Sequence, residues 1–436
     1  MVEERGVQMI DSQWFTDSKY GLFIHFGLYS VAARHEWVQT LEEMDDKAYS
    51  RYFNHFNPDL FNAVEWAERA KKYGFKYVIF TVKHHDGFCL WDTKGTSFNI
   101  TQTSFKRDLL DEFVEAFRAQ GIKVGLYYSL LDWHQKSFPI DGYHPMRNHG
   151  KSEGDIQAYQ QFMKEQIREL LTHYGRIDYL WFDFSYASRE WKNYKGKGPK
   201  EWDSLGLEKL IYSLQPQILL NDRLGLSRGV KTPEQFSRSK GMGEDLWETV
   251  QTLNNSWGYD RDNKNFKTSE MVLKQLIDTV SKGGNFVINI GPNARGEWDQ
   301  RSDTILKEVG EWFRLNGDSI YNARSSSYRP PVDCRYTAKG NKLYLHVFSW
   351  PYRTILLPDL GGKLEFARML NDGSEIRFVD TTQIGGERKA TENLYKEITE
   401  VHIKESLDKS TMVLNLPVEK PNDIVPVIEL TLKKED

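Results

Sequence analysis

Apolar and polar positions along the chain fall into alternating blocks. Seven short blocks are apolar on both faces, which is typical of parallel strands covered by helices. We predict buried strands at LFIHFGLYS from Leu22, KYVIFTVKHH from Lys76, IKVGLYYSL from Ile122, IDYLWFDF from Ile177, ILLNDR from Ile218, LWETV from Leu246 and NFVINIG from Asn285.

The segments between these strands have the apolar periodicity of amphipathic helices. The clearest are AVEWAERAKKYG, RDLLDEFVEAFRAQG, DIQAYQQFMKEQIRELLTHYG, SEMVLKQLIDTVSKGG and SDTILKEVGEWFRLNG. Each ends in glycine, which predicts that the chain leaves the helix through the left-handed region. Strands and helices that alternate over about 320 residues predict an α/β fold. We expect an irregular, TIM-like (β/α)-barrel over residues 1–330.

The pattern changes at SSSYRPP, which reads as a linker. The segments after it are short, alternate in polarity and are separated by turn residues: NKLYLHVFSW, RTILLPDL, SEIRFVD, EITEVHI, STMVLNL and VPVIELTLKK. They predict a C-terminal antiparallel β-sandwich over residues 331–436. Trp350 in this region could either pack against the barrel or reach a neighbouring active site.

Composition narrows the possible functions. The 58 basic and 62 acidic residues give a net charge of -4, so we expect neither a nucleic-acid nor a membrane partner. Two cysteines cannot form a disulfide framework or a cysteine metal site. No signal peptide is visible, so the sequence as written is expected to be cytoplasmic, or secreted or periplasmic if a signal was removed. Aromatic residues reach 14%, which suits either a large core or a carbohydrate site.

Polar and aromatic side chains collect at or near the ends of the predicted strands, where barrels carry their chemistry. They are His25, His84, His85, Tyr127, Trp181, Asp183, Asn221, Asp222 and Arg223. Asp183 in LWFDF is either a nucleophile or a carboxylate that caps a helix or pairs with arginine. His84 and His85 could bind sugar hydroxyls, divide between core and solvent, or bind a metal with Asp86.

A nucleophilic Asp183 requires a second carboxylate, because retaining glycosidases use an acid that later activates water. Glu234 in KTPEQF and Glu248 in LWETV are both candidates. The first lies in a polar segment that could approach a sugar from its open side. The second lies beside Trp247, where burial could raise its pKa. Spacing alone does not choose between them.

Several motifs occur together in the order of a known family. These are KYGLFIHFGLYSV, EW, VIFTVKHHDGFCLWDT, GLYYSLLDW, LWFDF, NDR, WET, SWGY and LIDTVSKGGNFVINIGP. Between about Trp14 and Tyr328 the chain resembles the alpha-L-fucosidases of glycoside hydrolase family 29. The resemblance implies an irregular barrel, a C-terminal β-sandwich and an exo-acting, retaining hydrolysis of terminal alpha-linked L-fucose through a covalent fucosyl-enzyme. It implies no metal or organic cofactor.

The resemblance also implies roles for individual residues. Asp183 matches the nucleophile, and Trp257 matches an aromatic near the sugar methyl group. Residues that hold the fucose hydroxyls or line the pocket are matched by His25, Glu36, Trp37, His84, His85, Tyr127, Trp181 and Arg223. Glu234 matches the acid/base in relatives with a TPE-like segment, with Glu248 next and Glu36 third.

The expected substrates are fucosylated oligosaccharides, glycoconjugates or aryl fucosides. WET followed by SWGY is similar to the branch of the family with broad specificity. Two other functions stay open: a catalytically silent fucose-binding protein, and a retaining glycosidase for a related sugar such as galactose. The sequence leaves the oligomeric state open, a homo-oligomer included.

Overall fold

The computed structural model describes residues 12–149, 154–235, 245–380 and 410–434. These residues form two compact units. One contains 12–235, 245–267 and 285–307, and the other contains 268–284, 308–380 and 410–434. The domain boundary predicted near residue 330 stays a prediction.

The first unit is built on a parallel sheet. In chain order, the strands described in this unit are β1 Tyr20–Ile24, β2 Tyr77–Lys83, β3 Lys123–Ser129, β4 Tyr179–Asp183, β5 Glu190–Trp191, β6 Tyr194–Lys195, β7 Leu219–Leu220, β8 Glu248–Thr252 and β9 Asn285–Ile290. Seven of them form one sheet in the order β7-β4-β3-β2-β1-β9-β8, and β5 pairs only with β6. The predicted irregular (β/α)-barrel is confirmed.

A short extended segment lies between the two edge strands of this sheet. Val230 forms a parallel bridge with Asn221, directly after β7, and Lys231 forms one with Trp247, directly before β8. Glu234 pairs in the same way with Val250 inside β8. The segment 230–235 thus bridges the sheet edges through backbone hydrogen bonds, and this pairing fixes the position of Glu234.

Helices alternate with these strands along the chain. The α-helices of the described residues are α1 Gln13–Ser18, α2 Tyr29–Ala32, α3 Val38–Leu41, α4 Asp46–His55, α5 Ala63–Lys72, α6 Leu109–Ala119, α7 Ile156–His173, α8 Pro199–Trp202, α9 Ser204–Leu214, α10 Ser269–Ser281 and α11 Gln300–Asn316. Side-chain N-caps begin several of them, as Asp108 does for α6 and Asp155 does for α7. Helix α10 belongs to the second unit, and α11 begins in the first unit and ends in the second.

Four of the five predicted glycine exits are confirmed. Gly74, Gly121, Gly175 and Gly283 all have positive φ, between 65° and 92°. The prediction for Gly317 was wrong, because the chain continues from α11 into a 3₁₀ turn at Gly317–Ser319. Within the described ranges, none of the helices is long and apolar enough to cross a lipid bilayer.

The second unit contains two antiparallel sheets. Its described strands are β10 Arg324–Ser325, β11 Cys334–Lys339, β12 Lys342–Val347, β13 Thr354–Leu357, β14 Leu364–Met369, β15 Arg377–Asp380, β16 Met412–Asn415 and β17 Val427–Leu432. They pair in the orders β10-β11-β12-β17-β14 and β13-β16-β15 around one apolar core, which confirms the predicted sandwich. Strands β10, β11 and β14 were not predicted, and Ser325 of β10 lies in the predicted linker. EITEVHI lies outside the described residues. Trp350 packs against this core and donates a hydrogen bond to the Pro417 carbonyl at 3.1 Å.

Candidate active site

A cavity of about 180 Å³ lies at the carboxyl end of the parallel strands. It is lined by Phe23, His25, Glu36, Trp37, His84, Tyr127, Trp181, Asp183, Phe184, Arg223, Glu234 and Trp257. Ten of the eleven predicted site residues are in this set, and His85 is not. The structure therefore brings together side chains from five strand ends and the loops between them.

Asp183 is the last residue of β4 and points its carboxylate at three donors. Its Oδ2 accepts from the Tyr127 hydroxyl at 3.1 Å. Its Oδ1 accepts from Arg223 Nη1 at 3.0 Å and from the Phe184 amide at 2.9 Å. Phe184 has a φ of 75°, which is a strained value for a non-glycine residue and is common at functional sites. These donors hold the Asp183 carboxyl group in place at the wall of the cavity.

Glu234 faces the same cavity from the bridging segment. Its Oε1 contacts Arg223 Nη1, the nitrogen that also donates to Asp183. Burial is the main cause that raises the pKa of Glu234, the negative charge of Asp183 raises it further, and the Arg223 guanidinium opposes both. A half-buried carboxyl with a raised pKa keeps its proton to higher pH than a freely exposed glutamate does.

Arg223 is itself fixed in place. Its Nε donates to Thr232 Oγ1 at 2.9 Å and its Nη2 donates to the Thr232 carbonyl at 2.8 Å. Its guanidinium lies 4.6 Å from the centre of the Trp181 ring, in a cation–π contact. Asp183 Oδ1 and Glu234 Oε1 both contact Nη1 of this guanidinium, so these two oxygens lie at most about 6 Å apart, the sum of two hydrogen-bond lengths. Retaining glycosidases hold their two carboxyl groups about 5–5.5 Å apart and inverting enzymes about 6.5–9.5 Å apart.

Glu248 does not line the cavity. It is the first residue of β8 and lies inside the barrel, where Oε2 accepts from the Tyr77 hydroxyl at 2.7 Å. Its Oε1 accepts from the Tyr179 hydroxyl and from Trp181 Nε1, both at 3.0 Å. Burial raises the pKa of Glu248 to about 7. Both oxygens are engaged below the floor of the cavity, so Glu248 is a poor candidate for the acid/base.

Glu36 has one carboxylate oxygen that is free to accept a hydrogen bond from a ligand. Its Oε2 accepts from the backbone amides of Trp257 at 3.1 Å and Gly258 at 2.9 Å. Its Oε1 is buried and has no hydrogen-bond partner among the described residues. A buried carboxylate oxygen without a partner is costly, and a sugar hydroxyl would satisfy it.

Asn289, at the end of β9, connects two of the lining residues. Its Nδ2 donates to the Trp257 carbonyl at 2.7 Å, so its Oδ1 is the atom that faces His25 Nδ1 at 2.6 Å. His25 must then carry its proton on Nδ1, which leaves Nε2 as an acceptor. Burial lowers the pKa of His25 to about 3, so the imidazole is neutral.

The two adjacent histidines have different surroundings. His84 lines the cavity and stacks on Tyr127 with ring centres 5.3 Å apart, and burial lowers its pKa. His85 lies behind Trp37, between that ring at 4.5 Å and Trp133 at 4.0 Å. Its role as a substrate-binding residue stays a prediction.

The surroundings of Asp86 do not favour the hypothesis that it binds a metal together with His84 and His85. Asp86 uses both carboxylate oxygens in protein hydrogen bonds, from the Tyr49 hydroxyl at 2.9 Å and the Phe88 amide at 3.2 Å. In the part of the chain that the structure describes, no group of three metal-ligating side chains was found.

Comparison with known proteins identifies the family. The alpha-L-fucosidase family model matches residues 4–318. The chain belongs to the alpha-L-fucosidase family. It is 39% identical to the solved structure of alpha-L-fucosidase isoenzyme 1 from Paenibacillus thiaminolyticus, with a TM-score of 0.87 over 97% of this chain and 99% of that one. It is 27% identical to alpha-L-fucosidase from Dictyostelium discoideum, over 95% of this chain and 90% of the relative. It is 29% identical to human tissue alpha-L-fucosidase, over 79% of this chain and 77% of the relative.

Three residues of this fucosidase site were missed by sequence reasoning. Phe23 precedes His25 by two residues and so shares its side of β1, a signal that strand periodicity could have given. Phe184 follows Asp183, but only its left-handed backbone turns it into the cavity, and no sequence pattern shows that. Asn289 stands in NFVINIG with the same residue type as Asn285, so only the structure separates their roles.

Proposed function

We propose that this member of the family is an exo-acting, retaining alpha-L-fucosidase that removes terminal alpha-linked L-fucose through a covalent fucosyl-enzyme. The observation that supports this most strongly is the placement of Asp183 and Glu234 on one guanidinium nitrogen at the same cavity. One carboxylate is surrounded by donors, and the other has a raised pKa. This asymmetry is the one expected of a nucleophile and an acid.

In the first step, an Asp183 carboxylate oxygen bonds to the anomeric carbon while the glycosidic C–O bond breaks. Glu234 gives its proton to the departing oxygen. Formation of the ester removes the negative charge of Asp183, which had raised the pKa of Glu234. The pKa of Glu234 therefore falls, and Glu234 can take a proton from water as that water attacks the anomeric carbon. Asp183 leaves as a carboxylate, and fucose leaves with its original configuration.

The pocket suits a neutral deoxy sugar. His25 Nε2, Glu36 Oε1 and His84 offer hydrogen-bonding atoms, while Phe23 and Trp257 give an apolar wall. A site that hydrogen-bonds a hydroxyl discriminates strongly against analogues that lack it. Comparing hydrolysis of an aryl fucoside with that of the matching aryl galactoside tests whether the apolar wall selects the methyl group.

The nucleophile is tested with Asp183→Gly. We expect turnover of an aryl fucoside to fall by at least about 10⁴-fold, because no second group can form the covalent bond. Fucose should still bind, as measured by calorimetry. A 2-deoxy-2-fluoro-fucosyl fluoride should add one sugar mass to the wild-type protein and none to the variant. Near-normal turnover by the variant would contradict the assignment.

The acid/base is tested with Glu234→Ala and azide. Removal of the proton source slows turnover of substrates with poor leaving groups by about 10²–10⁴-fold. Azide can occupy the space left by the carboxylate and attack the fucosyl-enzyme from the side that water would use, which gives alpha-fucosyl azide with the configuration of the substrate. Glu248→Ala is the control and should give no azide product, because Glu248 lies below the cavity. Rescue at Glu248 alone would move the acid/base role to that residue.

A further inference from the structure

An aromatic wall continues from the cavity toward solvent. It consists of Tyr143, in the loop between β3 and α7, and of Tyr186 and Trp191, from the segment after β4. We call these three residues the hairpin wall, because Trp191 belongs to the β5–β6 hairpin. Their ring centres lie 5.0 Å, 5.1 Å and 5.8 Å apart for the three pairs.

The hairpin wall is continuous with the catalytic cavity. The Tyr143 ring lies 5.8 Å from Trp37 and 6.0 Å from Phe184, both of which line the cavity. The charge of Asp183 is close enough to contribute to the raised pKa of Tyr143, whose main cause is burial. All three wall residues keep part of their surface exposed, unlike the Trp133 ring farther from solvent.

A buried ion pair holds the wall in shape. Asp141 is fully buried and accepts from Lys197 Nζ at 2.7 Å, from the Tyr143 amide at 2.9 Å and from the Tyr186 hydroxyl. These bonds connect the Tyr143 loop to both ends of the hairpin segment. Such an arrangement is rigid, because every partner of the buried charge is needed to satisfy it.

Two further contacts set the direction of the aromatic planes. The Trp191 ring lies so close to the backbone of Gly142 that a Cβ at that position would overlap it, at 2.1 Å from the nearest ring atom. The exposed guanidinium of Arg189 lies 5.0 Å from the centre of the Tyr143 ring and 5.6 Å from that of Trp191. The hairpin wall thus presents aromatic rings in fixed orientations, with the Arg189 guanidinium beside them.

We propose that the hairpin wall is the leaving-group subsite, which stacks on the ring attached to the glycosidic oxygen of fucose. This inference rests on the proposed function, because an exo-acting enzyme encloses only the terminal sugar and the leaving group must extend toward solvent. The ligand it fits is an uncharged ring with a flat apolar face, either a pyranose that presents its C–H bonds or an aryl group. Arg189 can donate to hydroxyl groups at the edge of that ring.

The test compares leaving groups with and without a ring. We measure kcat/KM for fucosyl fluoride, an aryl fucoside and a fucosyl-hexose disaccharide, using the full-length protein. In Trp191→Ala, the loss for the two ring-bearing substrates should exceed the loss for fucosyl fluoride by about two- to twelvefold, since an aromatic stacking contact is worth about 0.5–1.5 kcal/mol. Trp191→Phe, which keeps an aromatic plane, should recover most of this difference.

A matched control comes from the same hairpin. Lys192 is exposed and follows Trp191 directly. Lys192→Ala should leave the ratios between the three substrates as they are in the wild type. If Trp191→Ala is unstable, Trp191→Leu gives the same comparison, because it keeps apolar bulk but has no aromatic plane.

The outcomes separate this inference from the proposed function. A wild-type protein that hydrolyses none of the three substrates would overturn the proposed function. An active wild type whose Trp191 variant loses activity equally on all three, or on none, would overturn the subsite. A selective loss confined to the disaccharide identifies the ligand as a pyranose, and one confined to the aryl fucoside identifies it as an aryl ring.

Discussion

Arg223 is the residue on which the chemistry of the cavity converges. One of its nitrogens contacts both carboxylates, and its ring contact with Trp181 and its two bonds to Thr232 leave it little freedom. Its positive charge stabilises the anionic form of either carboxyl. The protonation of Glu234 is therefore a balance between Arg223, Asp183 and burial.

This balance predicts a shift in the pH profile of Arg223→Gln. The proposed acid must be protonated, so kcat/KM falls as pH rises through the pKa of Glu234. Arg223 lowers this pKa, so its removal should move the alkaline limb of the profile to higher pH. We also expect kcat/KM to fall by about 10²–10³-fold, the loss typical of one preorganised charged donor.

The pH dependence of aryl fucoside hydrolysis measures both effects. Arg228→Gln is the control, because Arg228 pairs with Glu208 at the surface and lies outside the cavity. That variant should keep the wild-type profile. An alkaline limb that stays in place in Arg223→Gln, or that moves to lower pH, would contradict the role of Arg223.

Among the elements, β9 shows how a single strand places two parts of the site. Asn289 at its carboxyl end orients His25 and holds the Trp257 carbonyl. Asn285 at its amino end donates to the Phe15 carbonyl at 2.7 Å, far along the strand from the cavity. The same residue type thus positions the site at one end and supports the barrel at the other.

The strand predicts opposite results for two matched substitutions. Asn289→Ala leaves His25 Nδ1 and the Trp257 carbonyl without partners, so we expect about a tenfold or greater rise in the inhibition constant of fucose. Asn285→Ala should lower the thermal midpoint and leave this constant near the wild-type value. Fucose inhibition of aryl fucoside hydrolysis and thermal unfolding measure the two effects. Equal inhibition constants in the two variants would show that Asn289 does not position His25.

Periodicity predicted most of these elements, and its failures have physical causes. The apolar runs around β1, β2, β3, β4 and β9 are long enough to be recognised, and their polar ends place most of the cavity lining. The bridging segment 230–235 contains Pro233 and polar residues, so it has no strand pattern of its own. Its position depends on backbone pairing with Trp247 and Val250, which are distant in sequence. The choice between Glu234 and Glu248 depended on this pairing and could not be made from spacing.

At the scale of the whole barrel, Glu248 connects strands from opposite sides of the interior. Its carboxyl on β8 accepts from Tyr77 on β2 and from Tyr179 and Trp181 on β4. Three buried donors would lose their acceptor if the carboxyl were removed, which is expensive. These hydrogen bonds also support the floor of the cavity, because Trp181, which donates to Glu248, lines the cavity.

The raised pKa of Glu248 makes barrel stability depend on pH. Burial raises this pKa to about 7 from its ordinary value of 4.5, so the folded protein holds a proton that the unfolded chain releases between these values. The free energy of unfolding should therefore fall as pH rises from about 4.5 to 7, by up to about 3 kcal/mol at about 1.4 kcal/mol per pKa unit. Glu248→Gln cannot titrate and should lack this part of the pH dependence.

Urea unfolding at pH 5 and pH 8 measures the change in the free energy of unfolding. Glu68→Gln, at an exposed position of α5, is the control and should show the same change with pH as the wild type. If wild type and Glu248→Gln lose the same stability between these two pH values, Glu248 does not carry the buried proton. A wild type that instead gains stability relative to this variant would mean that the donors around Glu248 hold it as an anion.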